Sequence, residues 1–140
     1  MSLRLEKGWG VWTLDFRPDF TAGESGMDAF INWNKDFIGK QAAEKEHTEG
    51  TAKKLVTLVI EVDGIDVSND EAILMNGKAV GYVSSGGYGH HVKKSIALGY
   101  VPTELATGGQ KLQVEIMGEM YDAEVQGTPL YDANGGNMRA

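Results

Sequence analysis

From Lys53 onward the chain is a succession of short apolar alternations, cut at close intervals by glycine. That texture constrains the fold more than any other feature. Alternation with a period of two puts one set of side chains on a buried face, and each glycine offers a place to reverse. Leu55 to Val62 reads as a strand, with Val56, Leu58, Ile60 and Val62 on one face. Ile73-Leu74-Met75-Asn76-Gly77-Lys78-Ala79-Val80 reads as a hairpin, because Asn-Gly supplies the two positive-φ residues of a type I′ turn. Gly81 to Ser84 extends the second arm. Ile96 to Val101 is a further strand, with Pro102 ending its ladder. Leu112, Val114 and Ile116 alternate with polar residues, Gly118-Glu119 forms a tight turn, and Tyr121, Ala123 and Val125 alternate on the return. About six strands result, brief and turn-separated, which suggests an antiparallel barrel or sandwich. The expected fold is mainly β: a six-stranded antiparallel barrel, jelly-roll-like, over residues 51–140, after a short mixed, partly helical segment over residues 1–50.

That first segment differs in composition. It holds all three tryptophans, Trp9, Trp12 and Trp33, together with Phe20, Phe30 and Phe37. Lys40 to Glu46 is rich in good helix formers and predicts a helix of about two turns ending near His47. Asp36 stands ahead of it as a candidate cap. His47-Thr48-Glu49-Gly50-Thr51 reads as a loop. The 140 residues are enough for one domain that buries about two-thirds of its unfolded surface.

Several function classes are excluded or disfavoured. A net charge of −7 argues against nucleic acid as partner, since phosphate neutralisation needs clustered Lys and Arg. The one basic cluster, His90-His91-Val92-Lys93-Lys94, is short and reads as a solvated loop. There is no cysteine, so disulfides, thiolate nucleophiles and Cys-based zinc sites are out. No apolar run approaches the ~20 residues of a membrane helix, and no signal peptide is visible. His90 and His91 are adjacent, and neighbours on a strand point to opposite faces, so they do not chelate one ion together. Gly86-Gly87-Tyr88-Gly89 is followed by a strand rather than the helix of a dinucleotide fingerprint, and reads as a long connection. Asp66-Val67-Ser68-Asn69-Asp70 lacks the glycine and distal glutamate of a calcium loop and reads as a polar turn. No metal site is predicted.

A resemblance carries the reading further. Leu3-Arg4-Leu5-Glu6-Lys7-Gly8-Trp9 resembles the Leu-Arg-x-Glu-x-Gly-aromatic string of the glycine-cleavage T-protein family, the folate-dependent aminomethyltransferases. Trp12 falls where that family usually has Tyr or Phe, with Asp15 shortly after. Glu24-Ser25-Gly26-Met27 is similar to its Glu-Ala-Gly-Leu, and Asp36-Phe37-Ile38-Gly39-Lys40 to its Asp-Phe-Ile-Gly-Lys/Arg. In the second half, Gly81 to His90, Lys94 to Pro102 and Pro129-Leu130-Tyr131-Asp132 resemble the folate-binding half of dimethylglycine and sarcosine dehydrogenases. Any one string is weak, but their order and spacing together are specific. Ala22 departs from the family's usual proline, and Trp12 removes a phenolic hydroxyl.

The resemblance implies transfer of a one-carbon unit from a glycine, dimethylglycine or sarcosine type of amine to tetrahydrofolate. It implies no catalytic residue here, because the family's folate-binding core and reactive acidic residue lie upstream of the Leu-Arg-x-Glu string. The partners implied are that upstream folate-binding domain and folate itself. The dehydrogenase branch adds FAD on a domain outside this chain. Arg4 is the expected folate contact, since a guanidinium suits carboxylates; the competing reading is a structural ion pair. Trp12 is the expected cavity-lining ring, against an ordinary core tryptophan. Glu6 reads as structural, and residues 36–39 as a turn fixing the barrel to the upstream domain. Trp9, Trp12 and Phe16 are expected to form an exposed patch prone to self-association. The expected location is cytoplasmic, or the mitochondrial matrix in a eukaryote. The alternative reading is a stand-alone, non-catalytic β-barrel binding or interaction module; the coding sequence upstream of Arg4 discriminates the two.

Overall fold

The computed structural model describes residues 2–140. Its centre is a closed antiparallel barrel of six strands. These are β1 (Lys53–Ile60), β2 (Ala72–Met75), β3 (Lys78–Gly89), β4 (Lys94–Pro102), β5 (Lys111–Ile116) and β6 (Glu119–Gln126). Around the barrel they run β1-β4-β3-β2-β5-β6, and β6 pairs with β1 to complete the ring. Closure leaves no unpaired strand edge. β1 and β2 are not neighbours, so the connection between them crosses one end of the barrel. Val67 on that connection is buried and joins the core there. The β4–β5 connection crosses the opposite end, where Leu105 and Ala106 pack on the same core. Inside, Leu58, Ile73, Val83, Val101, Val114 and Val125 are almost fully buried. They are the inward members of the alternation.

The hairpin at Asn76-Gly77 forms as its residues dictate, with φ of 52° and 74°. The β5–β6 turn sits one residue earlier than the alternation suggests, at Met117 (φ 51°) and Gly118 (φ 87°). The glycine-rich Gly86–Gly89 is not a connection. β3 runs through it, pairing Gly86 with Ala97 and Gly89 with Lys94. These glycines admit close neighbours: a Cβ on Gly86 would lie 2.4 Å from Val67 Cγ1, and one on Gly89 would lie 2.6 Å from Ile96 Cδ1. The reversal comes instead at residues 90–93.

Two α-helices precede the barrel, α1 (Ser2–Glu6) and α2 (Lys40–Glu49). α2 is longer than expected and takes in His47, Thr48 and Glu49. Asp36 does not cap it. The N-cap is Gly39 at φ 87°, with no side-chain bond, and Gly50 at φ 92° ends the helix by donating its N–H to Glu46 O at 2.8 Å. α1 packs on the outside of β3 and β4. Leu5 is wholly buried there against Ile96 and Leu98. β4 is therefore covered on both faces, with Ala97 and Val101 in the barrel core and Ile96 and Leu98 under α1. That is why β4 reads as a near-continuous apolar run where β5 alternates.

Candidate ligand-binding wall

The segment between the two helices has little regular structure, yet it is fixed to the barrel through one carboxylate. Asp15 is fully buried. Its Oδ1 accepts from the hydroxyls of Ser84 (2.5 Å) and Ser85 (2.6 Å). Its Oδ2 accepts from the Val11 N–H (2.8 Å) and from Arg4 Nη1 (3.1 Å). Four donors meet the need of a buried charge for pairing and hydrogen bonds. Adjacent strand residues normally face opposite ways. Ser84 and Ser85 both reach Asp15 because the β3–β4 register shifts between Val83 and Ser85, a bulge that turns two neighbours to one side.

Tyr100 on β4 makes the next attachment. Its hydroxyl donates to the Asp15 carbonyl at 2.8 Å and meets Ser25 Oγ at 2.8 Å. Burial pushes the phenol above its ordinary pKa, with the nearby Asp15 and Glu24 charges adding to the effect, so it remains a donor. Phe20 stacks on the Tyr100 ring, with centroids 3.4 Å apart and planes 6° from parallel. Thr21 and Glu24 bond reciprocally: each backbone N–H reaches the other's side-chain oxygen at 3.1 Å.

These attachments hold an apolar wall open to solvent. Trp12 is 75% exposed and stands edge-on to Phe16, their ring centroids 5.9 Å apart. Trp12, Phe16, Arg17, Phe20, Met27 and Phe30 line a groove of about 580 Å³. A second cleft of about 390 Å³ lies between Leu3, Arg4, Lys7, Trp9, Tyr131 and Asp132. The two expected site residues are thus close in sequence but line different openings. Arg4 Nη1 also donates to Trp9 O and Ser85 Oγ, both at 3.1 Å. The returning C-terminal segment closes the second cleft: the Tyr131 N–H donates to Glu6 O at 3.0 Å, and Lys7 pairs with Asp132. The Asn137 N–H and the Lys7 charge hold the Asp132 carboxyl below the usual range. Glu6 is buried, and its Oε1 accepts the His91 N–H at 2.8 Å, pinning the β3–β4 turn. His91 rests edge-on against Tyr131. Among the described residues no group of His, Asp and Glu gathers to hold a metal ion.

Sequence reasoning missed Ser84, Ser85, Tyr100 and Arg17. The adjacent serines inside a strand were the available signal for a polar contact on an otherwise apolar face.

The sequence profile of the glycine cleavage T-protein C-terminal barrel domain matches residues 53–132, which span the barrel and its tail. The chain belongs to the glycine cleavage T-protein family. Human mitochondrial dimethylglycine dehydrogenase is 40% identical over 131 residues, covering 92% of this chain and 15% of that protein. The aminomethyltransferase of a Picosynechococcus species is 38% identical over 135 residues, covering 95% of this chain and 37% of that protein. The crystal structure of glycine cleavage system aminomethyltransferase T from Bartonella henselae superposes with a TM-score of 0.84 at 26% identity, covering 94% of this chain and 38% of that one. This chain of the T-protein family therefore spans well under half the length of these relatives. All three likenesses cover more than nine-tenths of this chain, so they extend beyond the barrel into the segment that carries Asp15 and the aromatic wall.

Proposed function

We propose that this chain is the C-terminal part of a tetrahydrofolate-dependent enzyme that moves a one-carbon unit from an amine of the glycine, dimethylglycine or sarcosine type. The observation that carries the reading is the solvent-open aromatic groove, held rigidly on a family barrel by the buried Asp15. A rigid wall lined by ring faces suits a flat heterocycle. Trp12 stacks on the folate ring system, and Arg4, oriented by Asp15, meets its carboxylates. Residues 1–50 belong to the folate-binding region and its linker, residues 51–140 form the C-terminal barrel, and an upstream folate-binding domain completes the cavity. That domain carries the reactive acid, so the chain alone is not catalytic. In a dehydrogenase parent, FAD sits on a further domain and makes the iminium that folate captures. The cytoplasm, or the mitochondrial matrix, supplies both folate and amine.

A calorimetric titration with tetrahydrofolate tests this. Joined to the upstream domain, the chain binds at least about a hundredfold more tightly than alone, because most of the enclosing surface comes from the partner. Equal affinity with and without that domain would refute the split cavity. The exposed wall gives a second expectation. Along the groove Trp12 is 75% and Phe30 82% exposed, and Trp9, at the separate second cleft, is 53% exposed; such apolar surface associates when uncovered. Light scattering on the isolated chain is expected to show concentration-dependent dimers or larger species, which disappear with the upstream domain attached; a monomer at every concentration would contradict it.

A further inference from the structure

We propose that Arg17 is a ligand-binding residue of the aromatic groove, and that the groove takes a flat aromatic group bearing a carboxylate. The inference rests on the folate reading for the ligand's identity, but not for the chemistry of the groove. Arg17 lines the groove among Trp12, Phe16 and Phe20. One side of its guanidinium is fixed: Nη2 donates to the Tyr82 hydroxyl, and Cζ lies 5.5 Å from the Tyr82 ring centroid. The other side is loosely neutralised. Nε lies 3.3 Å from Asp19 Oδ2 but out of line for a hydrogen bond, and the Nε atom is buried without another acceptor. Asp19 itself is 66% exposed. Such a pair contributes little and exchanges readily. An entering carboxylate therefore displaces Asp19 and gains the charge-assisted bonds that Asp19 leaves unmade. At Arg4, in the neighbouring cleft, the counter-ion Asp15 is buried with four donors and stays in place, so a carboxylate arriving there adds to the pair rather than displacing it.

The test uses quenching of tryptophan fluorescence in the chain by p-aminobenzoylglutamate, compared with its uncharged diamide. The acid is expected to bind saturably and about tenfold more tightly than the diamide. Arg17→Gln removes the preference, bringing the acid to the diamide's affinity, whereas Arg17→Lys keeps part of it. Because Arg17 also supports Tyr82, Asp19→Asn serves as a variant outside the packed region: it removes the competing carboxylate and strengthens acid binding by about threefold. Equal affinity for the two probes, absence of saturable binding, or an Asp19→Asn variant that binds the acid no better would each overturn the proposal. Tetrahydrofolate binding by the chain joined to its upstream domain is measured alongside. Its absence sinks the folate reading while the charge preference of the groove stands or falls on its own.

Discussion

Asp15→Ala is expected to destabilise the chain by about 3–5 kcal/mol, the range for breaking a buried ion pair from one side. The loss is larger than that of one salt bridge because the carboxylate serves four donors. Without it, the hydroxyls of Ser84 and Ser85 face each other with no shared acceptor, and the Val11 N–H and the Arg4 guanidinium lose their charged partner. Arg4 is only 13% exposed and cannot readily turn to water. For a chain of this size each kcal/mol lowers the melting temperature by roughly 4 °C, so thermal unfolding by circular dichroism should fall by roughly 12–20 °C. Ser84→Ala and Ser85→Ala each remove one of the four donors to the carboxylate, together with the hydroxyl's second contact to Leu98 O or Arg4 Nη1, and are each expected to cost about 1–2 kcal/mol. A change below about 1 kcal/mol for Asp15→Ala would mean that the carboxylate is not what holds the segment.

Gly81→Ala is the second large effect, and its cause is purely steric. Val80 has no partner across the β2–β3 ladder, because Ile73 pairs with Gly81 and Leu74 with Ala79. The bulge brings the Gly81 backbone against β4, where an added Cβ would lie 2.0 Å from the Tyr100 carbonyl oxygen and 3.4 Å from Val101 Cα. Backbone atoms in a closed ladder cannot rotate away as a flexible side chain does. The β3–β4 pairing must part locally, at a cost of roughly 3 kcal/mol, the upper end for overpacking. Chemical denaturation should show a lower midpoint, and amide exchange should accelerate first at Tyr82 and Tyr100, which pair across that ladder. An alanine variant with wild-type midpoint and exchange would show that the barrel wall yields more easily than a packed ladder should.

Much of the barrel was legible because alternation is a strong signal where one face is core and the other solvent, as in β5 and β6. The Asn76-Gly77 turn was legible for a different reason: few other pairs tolerate two positive φ values. Gly86–Gly89 was misread because glycine marks both turns and close backbone approach, and only the position of Val67 distinguishes them. Asp36 looked like a cap by residue type, but the chain enters α2 through Gly39 in a left-handed conformation, which leaves no place for a side-chain cap. The clamp was illegible in principle. A bulge that turns Ser84 and Ser85 together depends on the register against β4, and nothing in the local sequence says that Asp15, 69 residues before Ser84, will stand opposite. Arg4 and Trp12 are singled out by resemblance alone; that they line separate openings is a property of the fold.

The double burial of β4 has a mechanical consequence. To swing the aromatic wall away, the protein must uncover Tyr100, on whose outward ring Phe20 stacks, and pull the buried Asp15 charge from its donors, which breaks a buried ion pair. The wall is therefore not a hinge. On the folate reading proposed above, admitting the ligand falls to whatever faces the wall, and this chain serves as the stationary jaw.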